Sequence, residues 1–121
     1  MPIKNILIVD DSPTDRQHLS EILSKGGYNV STAASAEEGI AKVKAAKPDL
    51  VLMDVVMPGQ NGYQATRELS KDEATKHIPI IMCTSKNQET DRVWGLRQGA
   101  KDYVTKPVNG PDLLKKISAL G

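Results

Sequence analysis

The chain has 121 residues, which suits one domain with a modest core, and its 16 basic and 15 acidic residues leave a net charge of +1. That balance argues weakly against nucleic acid as the main partner, since such binding usually needs a basic stripe, and no apolar run approaches the ~20 residues of a membrane helix. One cysteine excludes a disulfide framework and a Cys-based metal site. The start, MPIKNILIVDD, has acids directly after a short apolar run and does not read as a secretory signal. A cytoplasmic setting is expected. Without Phe, the core must be filled mostly by Val, Ile, Leu and Ala.

Ile6 to Val9 is apolar and mostly β-branched, which suits a strand covered on both faces. It ends at Asp10 and Asp11. Ser12-Pro13 marks a helix start, with Ser as N-cap and Pro in the first turn. Leu19, Ile22 and Leu23 recur at helical spacing until Gly26-Gly27. Tyr28 to Thr32 alternates as a short strand. Ser35 and Glu38 have capping-box spacing, and Ile40, Val43 and Ala46 continue with a helical period up to Pro48. Leu50 to Met53 is a third strand that stops at Asp54, and Met57-Pro58-Gly59 turns the chain. Tyr63 to Lys71 is helical with Ala65 and Leu69 inward. Pro79 introduces a fourth strand, Ile80 to Cys83, ending at Thr84-Ser85. Asn87 to Gln98 is helical, with Val93, Trp94 and Leu96 as core candidates, and Gly99 stops it. Asp102 to Thr105 is a fifth strand. Lys106-Pro107 follows, then a helix with Leu113, Leu114 and Ile117.

Strand and helix thus alternate five times, which implies an α/β fold with a parallel sheet and helices on both faces. Right-handed crossovers bring the C-terminal strand ends to one edge, where open sheets hold their sites. That edge collects Asp10, Asp11, Asp54, Thr84 and Lys106. Three close carboxylates repel one another unless a cation sits among them, and all-oxygen ligands suit Mg²⁺. A carboxylate nucleophile, a metal, a lysine and a hydroxyl donor are what a transferring phosphoryl group needs. Taken singly, each residue has a plainer reading. Asp10-Asp11 can be helix-dipole charge, Asp54 a turn carboxylate, Thr84-Ser85 a helix cap and Lys106 a solvated lysine. Their joint placement at strand ends favours the chemical reading. Cys83 reads as a small buried apolar residue, and His18 and His77 lack ligand-spaced partners.

With VDDS at Val9–Ser12, MDVVMPGQNG at Met53–Gly62, CTS at Cys83–Ser85 and GAKDYVTKP at Gly99–Pro107, the whole chain resembles a response-regulator receiver domain of bacterial two-component signalling. The resemblance implies the flavodoxin-like strand order 2-1-3-4-5. It implies Asp54 as phospho-acceptor from a CheA-like histidine kinase. Asp11, Asp54 and the Val56 carbonyl would ligate Mg²⁺, with Asp10 acting mainly through water. Lys106 would pair with phosphoryl oxygens, Thr84 and the Ser85 N–H would hydrogen-bond them, and Tyr103 would be an aromatic switch that turns inward. The bond before Pro107 is often cis in this family, and Val56 and Lys86 occupy positions that tune dephosphorylation. The readout surface would lie around Trp94, Arg97, Lys101 and Tyr103.

Within the family, DVVMPGQNGYQATR and SKNQETDRVWGLRQGAKDY resemble the PilH-like receivers of twitching motility and type IV pili. The sequence ends at Gly121, after the last helix, so a single stand-alone receiver over residues 1–121, monomeric and without an output domain, is expected. Such a protein would act through a motor or effector protein, or as a phosphate sink, and would be no enzyme beyond its own phosphorylation and dephosphorylation. A phosphotransfer enzyme on small phosphodonors is a competing reading. However, Val56 stands where a second acid/base would be needed, and no cap insertion is present. A pseudo-receiver that only binds is another, and the complete residue set disfavours it.

Overall fold

The apolar runs become the middle of one sheet. A computed structural model describes residues 2–121. The strands are β1 (Asn5–Val9), β2 (Asn29–Ala33), β3 (Leu50–Met53), β4 (Ile80–Thr84) and β5 (Asp102–Thr105). They pair in the order β2-β1-β3-β4-β5, all parallel, in the flavodoxin-like arrangement. The connecting helices are α1 (Pro13–Lys25), α2 (Ala36–Ala46), α3 (Gly62–Lys71), α4 (Glu89–Arg97) and α5 (Gly110–Leu120).

Side chains alternate across each strand, and both faces are buried. Leu7, Val9, Val51, Met53, Ile80 and Met82 pack with Ile40, Val43, Ala65 and Leu69 on one face. Ile6, Ile8, Leu50, Leu52, Ile81 and Cys83 pack with Leu19, Leu23, Leu113 and Ile117 on the other. Helices α2 and α3 therefore cover one side, and α1 and α5 the other. No helix among the described residues is long and apolar enough to cross a membrane.

Local chemistry sets the helix starts. The Ser12 hydroxyl accepts the Asp15 N–H at 3.2 Å, and Pro13 sits in the first turn of α1. The Ser35 hydroxyl accepts from Glu38 N–H at 3.1 Å, while the Glu38 carboxylate reaches back to Ala34 N–H rather than to Ser35. Asn61 and Gln64 form a reciprocal capping box on α3, one residue earlier than Tyr63 suggested.

Three sequence expectations are corrected. The second strand starts at Asn29, because Tyr28 N–H still bonds Leu23 C=O at the end of α1. Helix α4 is shorter than Asn87–Gln98, since Gln88 is its N-cap and Asn87 lies in the preceding loop. Val93 and Trp94 are not core contacts: they are 39% and 49% exposed. Of the three apolar candidates only Leu96 packs, in part, on the core. The Trp94 ring instead meets Tyr63 edge-on, centroids 6.5 Å apart. The buried residue of α4 is Gly95, where a Cβ would stand 2.8 Å from Met82 Sδ and 3.1 Å from the Tyr103 ring.

Candidate functional site

The sheet register delivers the acids side by side. Val9 pairs with Met53, so the next residues, Asp10 and Asp54, emerge together. Asp54 N–H bonds Val9 C=O at 2.9 Å, and Asp10 N–H bonds Ala33 C=O at 3.0 Å. Thr84 pairs with Thr105, and Lys106 N–H bonds Thr84 C=O at 2.8 Å, which places Lys106 at the same edge. The Lys106–Pro107 peptide bond is cis.

Asp10 is buried, and both its oxygens are engaged. Oδ1 accepts from Ser12 N–H at 2.9 Å and Oδ2 from Lys106 Nζ at 2.7 Å, while Arg16 donates to the Asp10 carbonyl at 2.8 Å. Asp54 is also buried. Its Oδ1 accepts from its neighbour's Val55 N–H at 2.8 Å, as a turn carboxylate would, and its Oδ2 lies 3.5 Å from Lys106 Nζ. Asp11 is exposed. Asp10, Asp11 and Asp54 can each offer an oxygen within 4.8 Å of the others. These are hard, anionic donors, and they fit a small divalent cation.

Burial raises the Asp54 carboxyl above the usual carboxylate range, and the Asp10 charge adds to this. Lys106, Val55 N–H and the Thr84 hydroxyl oppose it. Burial alone would lower the Lys106 ammonium. Its bonds to Asp10 and Asp15 and the charge of Asp54 outweigh that and hold it above its ordinary value.

Thr84 is buried at the end of β4, and the Ser85 side chain is exposed. The Thr84 hydroxyl accepts from Lys86 N–H at 3.3 Å, and the Lys86 carbonyl accepts from the Tyr103 hydroxyl at 2.8 Å. One peptide segment thus joins Thr84 to Tyr103, whose ring lies buried beneath Gly95. The loop after β3 exposes the Val56 side chain and closes back on itself through Gly62 N–H to Val55 C=O at 2.9 Å. A Cβ on Gly62 would overlap the Asp54 carbonyl oxygen. Cys83 is buried, and His18 and His77 are exposed.

Two contributors were missed in the sequence. Asp15 in the first turn of α1 places Oδ2 2.9 Å from Lys106 Nζ. Glu37 on α2 accepts from Gln60 N–H at 3.2 Å and ties down the loop after β3. An acid in the first turn carries only a dipole signal in sequence, so neither tertiary contact could be read.

The family model for the response regulator receiver domain matches residues 6–118. The chain belongs to this family. The receiver is 56% identical over 115 residues to Protein PilH of Pseudomonas aeruginosa, covering 95% of each chain. It superposes on the chemotaxis protein CheY4 of Vibrio cholerae with a TM-score of 0.90 and 33% identity, covering 98% of the receiver and 99% of that chain. Against the CheX-CheY-BeF3-Mg²⁺ complex of Borrelia burgdorferi the TM-score is 0.91, with 29% identity over 97% of the receiver and 88% of that chain.

Proposed function

We propose that Asp54 accepts a phosphoryl group from a phosphohistidine of a CheA-like histidine kinase, with Mg²⁺, and that the receiver serves a cytoplasmic pathway controlling type IV pili and twitching motility. The observation that carries this reading is the buried Asp54 carboxylate, held between Lys106 and the acids Asp10 and Asp11. The high identity to PilH supports the pathway.

Asp10, Asp11, Asp54 and the Val56 carbonyl would hold the Mg²⁺. When bound, it supplies positive charge to the phosphoryl oxygens and relieves the repulsion among the acids. An Asp54 oxygen attacks phosphorus, the P–O bond forms, the P–N bond breaks, and the histidine leaves. Lys106 meets the charge that develops on the phosphoryl oxygens. Phosphorylation adds roughly −1.5 to −2 charges and three acceptor oxygens. Thr84 and the Ser85 N–H then donate to them. Such a charge-assisted bond is worth roughly 1.5–3 kcal/mol and exists only in the phosphorylated state. It draws on the peptide at Lys86, and hence on Tyr103 and the α4–β5–α5 face.

Incubation with Mg²⁺ and a small phosphodonor, followed by mass spectrometry, should add one phosphoryl group to the native chain and none to Asp54→Asn. An unchanged native mass would refute the reading. Sustained turnover of an organic phosphate would instead make the protein an enzyme.

A further inference from the structure

Lys106 is shared among more acids than an acceptor site requires. Its ammonium lies 2.7 Å from Asp10, 2.9 Å from Asp15 and 3.5 Å from Asp54. An ammonium has three protons to donate. Two of them are committed, to Asp10 and Asp15. A phosphoryl group on Asp54 must therefore compete with carboxylates already in place.

The two committed acids differ in what release would cost. Asp10 is 1% exposed, with its second oxygen tied to Ser12 N–H, so losing Lys106 would leave a buried charge without its cation. The Asp15 side chain is 39% exposed and can return to water. Its backbone is fixed regardless, because its N–H is bonded to the Ser12 cap and Pro13 sets the first turn. Asp15 is thus a rigidly mounted, cheaply released partner.

We propose that Asp15 is a positioning residue for Lys106, holding the ammonium back from Asp54 in the resting protein and releasing it when the phosphoryl group arrives. This assignment rests on the phospho-acceptor reading of Asp54. With Asp15 in place, part of the lysine's interaction with the phosphoryl group is offset by the contact it gives up. Asp15 thereby lowers the stability of the phosphorylated state and widens the difference in lysine position between the two states.

The test uses the full chain with Mg²⁺ and beryllium fluoride as the phosphoryl mimic, titrated calorimetrically. Asp15→Asn should bind the mimic about two- to fivefold more tightly, the range of one partly exposed ion pair. Asp15→Glu, which restores the charge, should fall back toward the native affinity. In ¹⁵N spectra of the resting protein, the Lys106 Nζ signal should shift in Asp15→Asn and not in Asp15→Glu. Thermal midpoints establish that each variant is folded, and Asp15→Ser is read in the same way if the amide variant is not. Native affinity or weaker binding in Asp15→Asn overturns the proposal, as does a gain of equal size in Asp15→Glu. A native chain that neither binds the mimic nor gains mass at Asp54 defeats the underlying reading instead, whatever Asp15 does.

Discussion

Lys106 Nζ lies closer to Asp10 Oδ2, at 2.7 Å, than to Asp54 Oδ2, at 3.5 Å. The lysine is first the counter-ion of the more deeply buried acid and only then the neighbour of Asp54. Replacing Lys106 by Ala strands Asp10 and leaves it facing Asp54. Breaking a buried pair in this way costs roughly 3 kcal/mol. Urea unfolding in the absence of Mg²⁺ should show a loss of this order, and added Mg²⁺ should recover part of it. A loss below about 1 kcal/mol, the ceiling for surface pairs, would mean that the pair is solvated.

Asp54 itself should weaken the fold at neutral pH. Its folded-state acidity is raised by burial and by Asp10. The native state therefore holds a proton that the unfolded chain has already lost, in the window between the unfolded value of 3.8 and the raised folded value. This contribution to stability falls as pH rises through the folded value, and the penalty is complete above it. Asp54→Ala should melt higher than the native chain at pH 7 in the absence of Mg²⁺. Lys106 keeps Asp10 and Asp15, so no cation is orphaned. The gain should shrink as pH falls toward 4, and Mg²⁺ should raise the midpoint of the native chain more than that of the variant.

Gly62 allows the loop after β3 to close against Asp54 and Val55. Since a Cβ there would overlap the Asp54 carbonyl oxygen and crowd the Val55 Cα at 2.9 Å, backbone has to move. Gly62→Ala should cost about 2–3 kcal/mol by overpacking. It should also slow phosphorylation of Asp54 by a small phosphodonor more than it changes the helix content. A variant with native stability and native rate would mean that the loop absorbs the methyl group freely.

Tyr103→Phe keeps the ring under Gly95 and removes the hydroxyl, with its bond to Lys86 C=O and its contact with the Tyr63 hydroxyl. The loss should be about 1 kcal/mol. Amide exchange should quicken at Lys86, whose N–H is held by Thr84, and leave β1 and β3 unchanged. Uniform acceleration across the sheet would point to a general loss of packing instead.

The strands that hold the acids were legible because they are buried on both faces. Ile6–Val9, Leu50–Met53 and Ile80–Cys83 are uninterrupted apolar runs, and a polar residue marks where each leaves the core. Helix α4 was the weakest point. Its buried residue is a glycine, which hydrophobic periodicity cannot see, so Val93 and Trp94 looked like the inner face. Edge strand β2, only partly buried, was offset by one residue. At the site, Asp10, Asp11, Asp54, Thr84 and Lys106 follow strand ends and converge by topology alone. Asp15 and Glu37 sit on helices, and the directions of their side chains depend on how α1 and α2 pack, which no local pattern encodes.

The bond between Lys106 and Asp10 spans 96 positions. A growing chain therefore exposes its acid cluster long before the compensating lysine is made, and β5 can join only the already formed β4. A nascent or truncated chain that ends before residue 106 has the carboxylates without their counter-charge. Such a fragment keeps a trio of mutually repelling acids, so the charge balance of this edge is completed only when the last strand and the turn after it are made.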